Sequence, residues 1–494
     1  MKEYKLFVQR IGIVGIANIL VALSSLILIP IMTKSFTINN YGIWAQINTF
    51  INLIPSFATL GLPYTMVRFL SAEKNINEIR EGFYSITILI LISTITISAL
   101  MYLFSHNIAA ALFDNNINIA HLLSFIVLLA CLNTLLLNFF RTFQQMKRYS
   151  IFLIMLNYLG VLIPSYFAIS GYGIYITALG LLIAYVIAFL IMTLFIYLDI
   201  GFKLPRFKNL REYLSFGLPT IPSNLSSWVV DSSDRFVIGI FLGTAFVGYY
   251  VPGYTLGYII ILILTPFSIL LPSLLPKYYD DHDFEKVELY LKYSLKYFLL
   301  VAIPTAFALT ILSKPILMIL TTSAIASHGY LITPFVAVSG LLFGFYAIVS
   351  NVIILEKKTK IMGIIWIIAA LLNLGLNIII VPHFGILGAA ATTLTAYTLA
   401  FILTVGYSNR IFKFDFNLPF IIKSIIASIV MSLLIISLHP TGILNILITV
   451  ILAVIIYLFF LLILRGVDRK EIELIGRIFL NKKEDSKRIL IIRK

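Results

Sequence analysis

Charge is scarce in this sequence. Of its 494 residues, 12% are Asp, Glu, Lys or Arg, where a soluble chain carries roughly 25%. That shortage excludes a water-soluble globule of this length. Cysteine is scarcer still: Cys131 stands alone, which excludes an intrachain disulfide and says nothing of compartment. A Walker loop is missing, which excludes nucleotide hydrolysis through that phosphate cradle. The six histidines are scattered without metal-ligand spacing, so no metal or other cofactor is expected. Alternating strands of roughly ten residues are absent too, which excludes a membrane barrel. Loops long enough to fold as extramembrane domains are also lacking, so an enzyme is not expected.

What is present is apolar. The chain is 60% hydrophobic, with a mean hydropathy of +1.02. Only helices and closed barrels satisfy backbone groups in lipid, so the expectation is an all-α polytopic membrane protein. A window of about 19 residues marks fourteen spans: 11–33, 41–63, 82–104, 119–143, 149–170, 174–198, 217–243, 247–275, 295–313, 329–355, 361–381, 385–407, 419–438 and 443–464. The first exceeds the roughly 7–15 apolar residues of a cleavable signal and reads as a retained helix.

The net charge of +15 could suggest nucleic acid, but its distribution argues against that partner. Cations fill alternate loops: Lys2 to Arg10, Arg68 to Arg80, Arg141 to Arg148, Lys203 to Arg211, Lys277 to Lys296, Lys357 to Lys360, Arg410 to Lys423, and the tail from Arg465. The other loops offer Lys34 and Lys314 alone. This is the positive-inside pattern, and it puts both termini in the cytoplasm of a multi-pass protein of the cell membrane. The connection "PKYYDDHDFEKVELYLKYSLKYF" reads either as a surface amphipathic helix or as a solvated connector, and its Asp280, Asp281 and Asp283 as a solvated cluster. The basic tail, helical at first, suits anionic headgroups, so membrane lipids are expected partners.

The chain repeats itself weakly. At an offset of 212, "GYGIYITALGLLIAY" and "HFGILGAAATTLTAY" pair Gly173 with Gly385 and Tyr185 with Tyr397; at 206, Gly42 pairs with Gly248, Asn18 with Asn224, and Ser25 with Asp231. Parallel six-helix halves related by an axis along the membrane normal are a transporter architecture. The expected units are 1–200 (spans one to six), 201–415 (spans seven to twelve), and 416–494 (two more spans and the tail). Prolines in or beside spans, Pro55, Pro222, Pro252, Pro266 and Pro272 among them, favour kinks.

Span seven carries the anomaly, "DSSDRFVIG". Asn224, Ser227, Asp231 and Asp234 follow steps of three and four, one polar stripe on a helix. Arg235 sits four residues after Asp231, the favourable order for a helical pair. Mid-membrane charges cost at least ~2.5–3.5 kcal/mol each and normally face a bundle interior or a wet cavity. Two readings stand: a polar wall of a transport path with a proton-exchanging carboxylate, or a closed Asp–Arg pair locking span seven to a neighbour. Arg68 and Arg141, at the cytoplasmic ends of spans two and four, read as phosphate contacts or as snorkelling anchors.

Three stretches resemble one known family: 215–257, with the Asp-Arg pair, "IG" and "GYY" in order; "LGLPYTMVRFLSAE" (60–73); and "RTFQQMKRYS" (141–150). The tail "RGVDRKEIELI" is similar as well. The family is the polysaccharide (lipid-linked oligosaccharide) flippases, in the superfamily of multidrug-and-toxin extruders (MATE) and lipid II flippases. The resemblance implies two MATE-like lobes around a polar cavity. It implies a substrate of polyprenyl-(pyro)phosphate-linked oligosaccharide moved from the cytoplasmic to the outer leaflet, a proton or sodium gradient as driver, and polysaccharide-assembly proteins as partners. Arg68, Arg141 and Arg235 match the positive cavity positions, tempered by Asp231 and Asp234. A MATE-type drug/ion antiporter is the first rival, disfavoured by fourteen spans and the lack of a clear acid in span one. A membrane glycosyltransferase or polymerase is the second; its largest outer loop, "SHNIAAALFDNNINIAH", offers Asp114 and two histidines.

Overall fold

The structure, a computed structural model, describes residues 2–412 and 415–467, with side chains for all of these except 2–11 and Ser273. Lys413 and the basic tail beyond Val467 lie outside the described residues. Helices account for nearly all that is described. The first run is α1 Lys2–Ser35, α2 Ile38–Ala58, α3 Leu62–Leu70, α4 Ile76–Leu103, α5 Ser105–Leu112, α6 Ile117–Thr142, α7 Met146–Ile169 and α8 Gly173–Ile200. After a linker come α9 Leu210–Gly217, α10 Ile221–Leu242, α11 Thr244–Tyr258, α12 Thr265–Asp280 and α13 Phe284–Leu320. The rest are α14 Ser323–Gly329, α15 Thr333–Val349, α16 Asn351–Leu355, α17 Thr359–Ile411, α18 Leu418–Leu438 and α19 Ile443–Ile463. The all-α polytopic class holds.

Among the described residues, 11 helices are long and apolar enough to cross a membrane, or up to 12 if one bent pair counts as a span. The expected fourteen is not reached on that criterion, and the reasons are physical. The helix α10 carries three charges, Asp231, Asp234 and Arg235. The helix α17 runs for 53 residues through Gly385, whose φ of 62° and ψ of −148° break it into two. Gly173, its partner in the repeat, also has a positive φ, of 78°, a backbone conformation that glycine adopts without steric cost. The bent pair is α2 with α3, turned by 51° shortly after Pro55.

Proline also shapes the eighth span. Between α11 and α12 the chain tightens to a 3₁₀ turn, Ile259–Leu264, ahead of Pro266. That ring supplies no N–H and crowds the carbonyl of Leu262, four residues earlier. The connection that read as a surface amphipathic helix or a solvated connector is helical except at 281–283. The helix α12 ends at Asp280, and His282 turns the chain with φ 57°. Asp283 then caps α13, accepting from the Lys286 backbone N–H at 3.2 Å.

The helices α1, α7, α8, α6 and α4 pack in succession, as do α10, α17, α15 and α13. The pair α18 and α19 lies against α13, where the Tyr457 hydroxyl donates to the Leu300 carbonyl at 2.9 Å. The two series meet mainly where α2 lies on α10 and α11. At one end, Gly42 faces Thr244 and Gly248, so closely that a Cβ on Gly42 would strike the Thr244 carbonyl. The two glycines paired by the repeat therefore meet in space. Asp114 ties that end, accepting from Thr244 Oγ1 at 2.6 Å and Asn39 Nδ2 at 3.3 Å. Lys34 Nζ donates to the Ile319 carbonyl at 2.8 Å, a cation where the negative end of the α13 dipole favours one. At the other end Gly61 packs on Gly217. Nearby, Thr65 Oγ1 donates to the Tyr213 carbonyl at 3.2 Å.

Candidate functional site

A cavity of about 410 Å³ lies between these two closures, walled by α1, α2, α10 and α11. Its lining from α2 is Tyr41, Trp44, Ala45, Asn48, Thr49 and Asn52, one face of a helix. Ser232 and Arg235 line it from α10, Thr255 and Tyr258 from α11, and Ser25 from α1. Arg235 is the one charged residue in this lining.

The helix α10 reaches the site because its start tolerates proline. Pro219 lies in the 3₁₀ turn Leu218–Thr220 and Pro222 in the first turn of the helix, where the missing N–H costs nothing. The chain then stays helical to Leu242, which carries Asp231, Asp234 and Arg235 through mid-span. Their surroundings split the expected stripe. Asp234 is 1% exposed. One of its oxygens accepts from the Tyr250 hydroxyl; the other accepts from the Arg235 backbone N–H at 2.8 Å. Asp231 accepts from the Tyr397 hydroxyl, 166 residues away on α17. Both carboxylates are thus held by tyrosines of the second series of helices.

The expected Asp231–Arg235 side-chain pair is not what forms. With the Asp231 carboxylate bound to Tyr397, Arg235 Nη1 donates to the Asp231 backbone carbonyl at 3.0 Å. The same nitrogen stands 4.0 Å from Asp234 Oδ1. The guanidinium lies over the Tyr254 ring, 4.5 Å from its centre, a favourable place for a cation. Nε and Nη2 keep their donors free of protein partners among the described residues, on a side chain that lines the cavity.

The other expected residues are placed apart. Asn224 accepts from the Tyr64 hydroxyl at 3.5 Å, which joins α10 to α3. The Ser227 hydroxyl donates to the Ser223 carbonyl of its own helix at 3.2 Å. Arg68 and Arg141 are exposed, in the last turns of α3 and α6, two helices that pack together. Neither lines the cavity.

Other residues emerge only in three dimensions. Ser233 Oγ donates to Asn373 Oδ1 at 3.3 Å, Asn377 Nδ2 donates to the same oxygen at 3.1 Å, and Thr392 Oγ1 donates to Asn377 Oδ1 at 2.7 Å. This buried ladder joins α10 to both halves of α17, and Asn373 Nδ2 within it has no partner. Two sequence signals could have found these residues. Asn373 and Asn377 lie four apart in an apolar run, and Tyr250, Tyr254 and Tyr258 recur every fourth residue.

A helical membrane bundle with a cavity between two series of helices, and a charged side chain in its wall, fits the architecture of a membrane transporter. A family model described as "Polysaccharide biosynthesis protein" matches residues 31–327, more than half of the chain. The chain belongs to that family. It is similar to the probable low-salt glycan biosynthesis flippase Agl15 of Haloferax volcanii, with 23% identity over 47% of this chain and 48% of that protein. The chain thus matches about half the length of this curated relative. The solved lipid II flippase MurJ, in an inward closed conformation, aligns with a TM-score of 0.75 at 19% identity, over 90% of this chain and 97% of that one. An inward-facing multidrug resistance MATE family transporter aligns at 0.65 and 17% identity, over 79% and 95%. At these identities the structures establish the fold. These proteins are described as flippases and a transporter.

Proposed function

We propose that this protein moves a polyprenyl-(pyro)phosphate-linked oligosaccharide from the cytoplasmic to the outer leaflet of the cell membrane, for polysaccharide or glycan assembly. The observation that carries the reading is Arg235, facing a polar cavity between two closures. Guanidinium suits phosphate oxygens. Trp44 and Tyr41 suit the faces of sugar rings, and Asn48, Asn52 and Thr49 their hydroxyls. A volume near 410 Å³ is at the small end for a ligand site, so passage of an oligosaccharide requires α2 to part from α10 and α11. The moving bodies in this reading are lobes 1–200 and 201–415, with 416–494 carried on the second and both termini cytoplasmic. The contacts of Gly42 and Gly61 are the two gates. Arg68 and Arg141 meet the phosphate first, at the entry face. Coupling to a proton or sodium gradient is assigned to Asp231, Asp234 and the Asn373–Asn377 ladder, beside Arg235 on the same helix.

The test is flipping of a labelled polyprenyl-pyrophosphate sugar in proteoliposomes. Arg235→Ala is expected to cut the rate about tenfold or more, the worth of a hydrogen bond to a charged group. Arg68→Ala and Arg141→Ala are expected to cut it less. Unchanged flipping in all three variants contradicts the site, and glycosyl transfer by the purified protein contradicts the function.

A further inference from the structure

The two lysines in the cation-poor loops have different situations. Lys34 is tied to a helix end, as described above. Lys314 is exposed and makes no ion pair among the described residues; its ammonium lies 5.4 Å from the centre of the Tyr330 ring. It stands at the mouth of a cavity of about 480 Å³ between α13 and the end of α18, which His439 and Thr441 also line. His439 is held there by a left-handed backbone, φ 42°, a conformation uncommon outside glycine. Its Nδ1 donates to the Ser437 carbonyl at 3.2 Å.

Behind this mouth lies a second chamber, of about 530 Å³, lined by Leu299, Ile303, Phe345, Phe401 and Ile425 among others. No charged residue lines it. Thr310 and Ile311 line both chambers, so they adjoin along α13. From Leu299 to Lys314 the helix rises roughly 22 Å at ~1.5 Å per residue. Half of a hydrocarbon core is about 15 Å, so the two chambers together are long enough to take most of an acyl chain. The cation Lys314 stands at one end and apolar side chains at the other.

We infer that this channel holds an anionic glycerophospholipid, its headgroup phosphate on Lys314 and one acyl chain along α13 between α15 and α18. A small headgroup fits better than an oligosaccharide, because the mouth offers no amide side chain and no tryptophan, unlike the cavity beside Arg235. The bound lipid lies beside the direct packing of α18 on α13. The inference does not depend on the transported substrate.

The experiment is native mass spectrometry of the full chain with phosphatidylglycerol and phosphatidylcholine of identical chains. Wild type is expected to retain one phosphatidylglycerol about tenfold more strongly than phosphatidylcholine. Lys314→Met and Lys314→Gln, at an exposed position, are expected to remove that preference, and Lys314→Arg to keep it. Ile311→Trp, which blocks the join between the chambers, is expected to lower retention of both lipids. Equal retention of the two lipids by wild type overturns the inference. So does an unchanged preference in both charge-free variants, or displacement of phosphatidylglycerol by an equal concentration of a polyprenyl phosphate.

Discussion

Asp234 and Arg235 are neighbours in sequence and opposites in setting. The Asp234 side chain is 0% exposed and that of Arg235 14%. The carboxylates of α10 are held by tyrosines of α11 and α17, while Arg235 lines the cavity with residues of α1, α2 and α11. The difference shows how a membrane helix carries three charges without being unstable. Burying a carboxylate is costly unless hydrogen bonds compensate it, and Tyr250 and Tyr397 supply those bonds. The guanidinium has five donors and commits Nη1 to the protein, which leaves the rest for a ligand. The carboxylates therefore hold the helix in place, and the arginine is the charge left available.

Removing Asp234 should break the sealed face most severely. Asp234→Ala leaves the Tyr250 hydroxyl and the Arg235 N–H without acceptors and the buried guanidinium without its nearest carboxylate. A loss of about 3 kcal/mol is expected for breaking such a pair, read as a lower melting point in detergent. A smaller effect sharpens the contrast. Tyr397→Phe takes the donor from Asp231 and leaves the shape of the ring, so about 1 kcal/mol is expected. Binding of a sugar phosphate, followed by calorimetry, should be unchanged in Tyr397→Phe, because Tyr397 does not line the cavity. Weakened binding there would show that the sealed face also meets substrate.

The all-α membrane class was legible because apolar runs of membrane length dominate the composition, and α10 stood out by its charges; the number of spans was not legible. Of the positions paired by the repeat, Gly42 meets Gly248, and Gly173 and Gly385 share a positive φ. The direction of each side chain on α10 was not. Steps of three and four place Asn224, Ser227, Asp231 and Asp234 on one helix face, but they do not say which helix that face meets. The partner of Asp231 lies on α17, and no local spacing points to it. The bend after Pro55 and the turn at His282 depend on what the chain packs against. The polar face of α2 was available in "YGIWAQINTFIN", where Tyr41, Trp44, Asn48 and Asn52 recur at helical steps. No charge marks it, and it reads as an ordinary apolar span.

Ser232 and Ser233 provide the most direct test of the two faces of α10. Ser232 lines the cavity beside Arg235, whereas Ser233 is 4% exposed and bonded to Asn373. Cys131 is buried and alone, so Cys131→Ala gives a background without thiols. Only a thiolate in contact with water reacts readily. With a water-soluble maleimide, Ser232→Cys in that background is expected to label and Ser233→Cys to stay protected. Equal labelling of the two, or labelling of Ser233→Cys alone, would contradict the assignment of the cavity to the Arg235 face.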